Sequence, residues 1–245
     1  MGKSAASQSA SSLRSTFPNI ELALVVGICA DTSQYDGGNN IFLGDVVISE
    51  GISSYEDEGE ETKERLTGKI VNYLKIIDDN LWGGSAQYPG ISQDELFQPN
   101  YVHKHYKPGF CSNCNHNENS IGLICDNASD FTCEQLGCQK ENLIARERLK
   151  IAAEMDKPPT PVIHIGLVGS ADAVMKSGLD RDRIASRDKV LVFEMEGAGV
   201  WDVLPGIIIK GVSDYADSHK NKVWQRYAAA TGAACMRAVL ELWMH

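Results

Sequence analysis

The chain has 245 residues, 43% hydrophobic and 23% charged, with a formal net charge of −10. That length and balance suit a globular protein with one large core, and the acidic surplus excludes a general affinity for nucleic-acid polymers. No apolar run is long enough to cross a bilayer, and the polar start "MGKSAASQSASSLRS" lacks the apolar centre of a secretory signal. A cytoplasmic location is therefore expected, with the seven cysteines as thiols or metal ligands rather than disulfides.

Ala5 to Leu13, rich in small residues, predicts a close-packed helix that ends before Pro18. "IELALVVGICA" is a continuous apolar run, as expected for a strand buried on both faces. After the turn signal "DGGNN", "IFLGDVVIS" predicts a second strand. From Thr62, Leu66, Ile70, Tyr73, Leu74 and Ile77 recur at helical spacing. The acids of "EDEGEE" precede that helix, where a solvated cluster complements its positive end.

Residues 83–140 read as an irregular, cysteine-rich insertion. Regular structure returns with the strand "PVIHIGLVG" and a helix near Ala173 to Ala185. The strand "KVLVFEM", the helix "EGAGVWDVL" and the strand "GIIIKGVSD" follow. A long helix closes the chain from about Asn221 to Trp243. Strands separated by helices predict one α/β domain over residues 1–245, a three-layer αβα arrangement around a mostly parallel mixed sheet.

Ligands of open α/β sheets collect beyond the carboxyl ends of the strands. Glu194, Met195 and Glu196 end "KVLVF", and Ser213 and Asp214 end "GIIIKGV", so two strand ends present three carboxylates and a thioether. A carboxylate accepts two hydrogen bonds from a vicinal diol, which suits Glu196 to a ribose. Methionine offers a soft apolar surface to a sugar face. An aspartate in a semi-dry crevice can donate a proton to a leaving group. Pyranose hydrolases place two carboxylates across the scissile bond, a geometry that Glu194 and Glu196 do not obviously supply. These residues imply a small polar ligand with hydroxyls and leave its identity open. Structural roles are expected for three other groups: Asp217 capping or orienting the last helix, Asp45 in a strand turn, and His164 hydrogen-bonded in the core. His219, Lys220 and Lys222 read equally as exposed loop residues or as contacts to a substrate phosphate.

"FEMEGAG" followed by "IIIKGVSDYADSHKNKVWQRYAAATGAA" closely resembles the nucleoside phosphorylase and nucleosidase superfamily. The nearest resemblance is to fungal domains joined to NLR-like or ankyrin architectures. "LALVVGICA", "LGDVVIS" and "IHIGLVGSADAVMKSG" fall in the family's order, so the match covers most of residues 3–243. The resemblance implies cleavage of the N-glycosidic bond of a purine nucleoside or nucleotide, in a homo-oligomer and without a cofactor. At matching positions it implies Glu196 on the ribose hydroxyls, Met195 against the sugar, Glu194 near the 2′-hydroxyl, and Asp214 at the purine N7 with Ser213 behind it. Ser170 and Val174 would line the base pocket, with Val174 where relatives often carry an aromatic.

The chain departs from the family in two places. The glycine-rich phosphate or water turn at Gly27, Ile28 and Cys29 reads "GICADTS", where Asp31 would repel phosphate if it pointed inward, and Val25 and Val26 stand where an arginine is expected. Hydrolysis is accordingly expected over phosphorolysis. The family also has one more βαβ-sized segment ahead of "GKSAAS"; lacking it, the chain would lose part of that site. A catalytically silent ligand-sensing or assembly module is therefore the alternative expectation. In the insertion, "CSNCNH" supplies Cys111, Cys114 and His116, and Cys125, Cys133 and Cys138 follow. Cys111, Cys114, Cys133 and Cys138 form the candidate set for one structural zinc, although the second pair is CxxxxC rather than CxxC. Unliganded loop thiols are the simpler reading.

Overall fold

The small-residue stretch near the start forms α1 (Lys3–Thr16), with its face of Ala6 and Ala10 buried. In the computed structural model, which describes residues 2–33, 41–50, 59–77, 79, 84–107, 111, 114 and 125–243, eleven further α-helices and strands follow, besides three short 3-10 helices. They are β1 (Ala23–Asp31), β2 (Val46–Ser49), α2 (Gly59–Ile77), α3 (Cys133–Leu136), α4 (Glu147–Glu154) and β3 (Ile163–Ser170). Then come α5 (Gly178–Asp188), β4 (Val190–Glu194), α6 (Gly197–Trp201), β5 (Gly206–Asp214) and α7 (Gln225–Trp243). The acid run at 56–61 and His116 lie outside the residues or side chains described.

The expected α/β fold with a mostly parallel mixed sheet is what the chain forms. β1 pairs parallel with β5, β2 with β3, and β3 with β4. The pairs β1–β4 and β2–β5 are antiparallel. The order β1-β4-β3-β2-β5 returns to β1, so the sheet curls into a closed ring flanked by helices. The closing seam is short: β1 meets β4 only at Ala30–Phe193 and Asp31–Val192. Among the described residues, Ala23 to Cys29 have strand neighbours on the β5 side alone. This corrects the expectation that the first strand is buried on both faces. Only Cys29 to Asp31 are buried, and Val26 is 36% exposed.

The core lies between the ring and the α2–α7 pair. Leu66 and Ile70 of α2 meet Ala234, Cys235 and Ala238 of α7 over Val46, Ile163 and Ile209 of the sheet. Trp224 and Tyr227 anchor a second cluster with Val47, Val192 and Val212. α7 approaches β5 so closely that a Cβ at Gly211 would lie 1.8 Å from the Ala228 carbonyl oxygen. No side chain fits there.

Three boundaries differ from the sequence expectation, each for a local reason. The second strand starts only at Val46, because Gly44 turns the chain with φ +92, and a Cβ there would strike the Tyr227 ring at 2.4 Å. α5 begins at Gly178, where the Ser177 hydroxyl accepts from the Asp180 N–H at 3.2 Å, leaving Ala173 to Lys176 irregular. α7 begins at Gln225, since the Asn221 side chain instead accepts from the Val223 N–H at 3.0 Å. No helix among the described residues is long and apolar enough to cross a membrane.

Asp45 and His164 take the structural roles expected of them. Asp45 is fully buried and accepts from the Phe42 and Val162 N–H groups, from both Arg148 terminal nitrogens at 2.7 Å, and from His164 Nε2 at 3.0 Å. Burial pushes its carboxyl pKa up, but the His164 and Arg148 hydrogen bonds outweigh burial and hold it below the usual carboxylate range.

Candidate active site

β4 ends at Glu194 and α6 starts at Gly197, so Met195 and Glu196 form the intervening corner. Glu194 organises that corner. Its carboxylate accepts from the Glu196 N–H at 3.0 Å and from the Gly197 N–H at 2.8 and 2.9 Å, using donors that the first turn of a helix leaves free. Gly197 leaves space there, since a Cβ would lie 2.3 Å from Ile208 Cδ1 and 2.7 Å from a Glu194 oxygen and would displace both side chains. The Ser170 hydroxyl accepts the next donor, the Ala198 N–H, at 3.0 Å.

The acids are not alone. Lys210 of β5, its side chain only 3% exposed, sets its ammonium 2.8 Å from Glu196 Oε2 and 3.2 Å from Glu194 Oε2. Gly27 sits opposite it in the β1–β5 register, and a Cβ there would come 3.3 Å from Lys210 Nζ. That glycine makes room for the ammonium. Sequence reasoning missed Lys210, though a lone base inside an apolar strand was a usable signal.

Asp214 ends β5 and is buried. Ser213 Oγ lies 3.0 Å from Asp214 Oδ2 and 3.2 Å from the Cys29 carbonyl oxygen, and the Ala216 N–H donates to Asp214 Oδ1 at 3.1 Å. Ala216 holds that amide in place from the left-handed region, at φ 52, where a residue with a Cβ is strained. Lys220, 31% exposed, places its ammonium 2.9 Å from Asp214 Oδ2. Asp217 does not cap α7. Its carboxylate accepts from the His219 N–H at 2.8 Å and shapes the loop instead.

These groups converge on one cavity of about 670 Å³ between α1, β1 and the ends of β4 and β5. Glu194, Met195, Glu196, Ser213, Asp214 and Val174 all line it, as sequence reasoning expected of a shared site, and so do Gly27, Ile28 and Cys29. Ser170 is absent from the walls; its hydroxyl holds α6. Two further expectations are corrected. Gly27 to Cys29 form no turn, because β1 runs through them in register with Lys210 to Val212. Asp31 does not line the cavity, so it repels nothing there.

Asp31 is instead buried at the last position of β1, in the short seam opposite Val192. Burial pushes its carboxyl pKa up to about 7, against the attraction of Arg146 and Arg181 and of His164 when charged. The folded state therefore holds a proton that the unfolded chain releases near pH 3.8. Stability from this group is full below that pH and is lost as pH rises toward about 7. Asp31→Asn is expected to remove this dependence, so that denaturant midpoints of variant and parent diverge in the variant's favour from pH 4 to pH 8. The shift corresponds to roughly 4 kcal/mol at most. A constant difference across that range contradicts the assignment.

The four cysteines expected to share one ion do not come together. Cys111 and Cys114 lie with Cys125 and His105, whereas Cys133 and Cys138 lie with His103 and His219. All seven cysteines are unbridged.

No protein-family model matches the chain. A nucleotide-binding leucine-rich repeat (NLR)-like protein of Hyaloscypha variabilis is 27% identical over 242 residues, 94% of this chain, and the chain spans 22% of that protein's length. Among solved structures, the chain is similar to a 5′-methylthioadenosine/S-adenosylhomocysteine nucleosidase from Neisseria meningitidis in complex with methylthio-immucillin-A. That match has 16% identity and a TM-score of 0.48, over 99% of this chain and 78% of the other. The chain is also similar to the futalosine hydrolase of Helicobacter pylori, at 15% identity and a TM-score of 0.48, over 99% and 76% of the two chains.

Proposed function

We propose that the cavity binds a purine nucleoside or nucleotide and that the chain hydrolyses its N-glycosidic bond. The observation that carries this reading is the placement of two distinct acids on one cavity: Asp214 at the end of β5, and Glu196 at the corner after β4. Cleaving the bond builds oxocarbenium character on the ribose and negative charge on the base. An acid at the base and a firm hold on the sugar both favour that transition state. Glu196 is 28% exposed and anchored through one oxygen by Lys210, which suits it to grip a diol. Asp214, buried beside Ser213, serves the base. The sequence resemblance of "FEMEGAG" and "IIIKGVSDYAD" to nucleosidases and nucleoside phosphorylases supports the same division.

Hydrolysis is favoured over phosphorolysis on electrostatic grounds. The described lysines lining the cavity are Lys210 and Lys220, and each is already paired with carboxylates. Among the described residues lining the cavity, no unpaired positive charge awaits inorganic phosphate. A second reading, a catalytically silent ligand-sensing module, is favoured by the NLR-like relative, most of whose length lies outside the matched segment. Release of free base from adenosine, inosine and ATP, with and without phosphate, separates the readings. Base release without saturable stimulation by phosphate is expected. Tight nucleoside binding without any release would replace the enzyme with the sensor.

A further inference from the structure

We infer that the insertion and the β5–α7 loop hold two separate structural zinc ions, one in a three-cysteine, one-histidine cage and one in a two-cysteine, two-histidine cage. The first cage is His105, Cys111, Cys114 and Cys125; the second is His103, Cys133, Cys138 and His219. In each, one ligand atom per residue lies within 4.8 Å of all the others. Zinc–sulfur bonds of about 2.3 Å and zinc–nitrogen bonds of about 2.0–2.1 Å put the corners of a tetrahedron roughly 3.3–3.8 Å apart, the sulfur edges being the longest. The first cage measures 3.6 Å from His105 Nδ1 to Cys114 Sγ, 3.8 Å to Cys125 Sγ, and 4.0 Å from Cys111 Sγ to Cys125 Sγ. In the second, His103 Nδ1 lies 3.6 Å from Cys133 Sγ and 3.7 Å from Cys138 Sγ. A disulfide, at about 2.05 Å, does not describe the 4.0 Å sulfur pair. Thiolate and imidazole donors in a four-fold set select zinc among common divalent ions.

Two features point to a ligand rather than to chance proximity. His219 is buried, stacked on Phe97 at 4.0 Å, and among the described residues neither ring nitrogen has a hydrogen-bond partner; Asp217 Oδ2 lies 3.7 Å from Nδ1, beyond hydrogen-bond reach. Burying an imidazole without a hydrogen bond is costly, and a metal on one nitrogen removes that cost. His103 turns its Nε2 to the Phe131 carbonyl oxygen at 3.0 Å and thereby aims Nδ1 at the two sulfurs. Such a carbonyl partner behind the ring is the usual support of a ligating histidine.

The backbone is built for the second cage. α3 starts at Cys133 behind a Thr132–Gln135 capping box, ends at Gly137 in the left-handed region, and brings Cys138 N–H to the Cys133 carbonyl at 2.8 Å. Around the two cages the buried cluster is small: Cys114, Cys125, Ala128 and Leu136, with Cys111 and Cys138 packed against it. Segments with so small a core need covalent or metal staples to stay folded. The second ion also reaches the candidate active site. His219 adjoins Lys220, the partner of Asp214, and the His103 N–H donates to the Ser218 hydroxyl at 2.9 Å. That zinc would pin the loop carrying the Asp214 partner to the insertion.

Metal analysis of the chain purified without chelator is expected to find two zinc ions per molecule. Cys114→Ser and His219→Ala should each retain one. Cobalt exchanged into the parent protein should give tetrahedral absorption with thiolate charge-transfer bands, a readout that needs no variant to fold. The Cys114→Ser change should remove the larger share of those bands, because it disrupts the three-thiolate cage. Metal-free protein that melts unchanged, or zinc content indifferent to both substitutions, overturns the inference. A single zinc in the parent overturns the two-site form of it.

Discussion

Asp214→Asn is expected to lower base release by about a hundred- to ten-thousand-fold, the usual contribution of general acid catalysis. Nucleoside affinity should change far less. The amide keeps the shape of the side chain, so the Ala216 N–H can still donate to its oxygen, but it cannot supply a proton as the base departs. Glu196→Gln should behave differently. It turns an acceptor facing the diol into a donor, and it weakens the hold of Lys210 at 2.8 Å, so binding and turnover fall together. Removing the substrate 2′-hydroxyl should then hurt the parent more than the Glu196→Gln protein. Should the two variants behave alike, or Asp214→Asn keep near-normal turnover, the division into base acid and ribose clamp is wrong.

Lys210→Met is expected to destabilise the fold by about 3–5 kcal/mol, the range for removing one partner of a buried ion pair. The cost arises at Glu194, whose side chain has no exposure and would be left with the Glu196 and Gly197 amides as its described partners. Adding Glu194→Gln should recover part of the loss, because the orphaned charge goes with it. Urea unfolding of the two single variants and the double variant measures this. A single-variant loss below about 1 kcal/mol would mean the lysine is spectator to the corner.

Much of the fold was legible because burial periodicity is local information. The runs that became β3, β4 and β5 sit where their apolar residues predicted, and the acids at the ends of β4 and β5 do face one cavity. What stayed hidden depends on how distant segments meet. Lys210 reads as an intrusion until Gly27 is seen opposite it. The β1–β5 register skips Ser213, pairing Cys29 with Val212 and Ala30 with Asp214, and no pattern in "GIIIKGVSD" announces such a bulge. The metal-ligand candidates were grouped by spacing along the chain. The fold instead pairs each half of the set with histidines, one of them about eighty positions away in the β5–α7 loop. Spacing is a one-dimensional signal, and it fails where a cage draws on separate loops.

The closed ring also bears on the order in which the chain can assemble. β1 zips to β5 along its length although Cys29 and Gly211 are 182 positions apart, so the loop-closure entropy falls due before that pairing returns any contact energy. The insertion, by contrast, joins Cys111 to Cys125 across 14 positions and His103 to Cys138 across 35. Local knots of that kind can order early, while the ring waits for the last strand. The cavity has β1 as one wall and the end of β5 as another. It therefore exists only in chains in which β1 and β5 have paired, and a ligand bound there stabilises those chains alone.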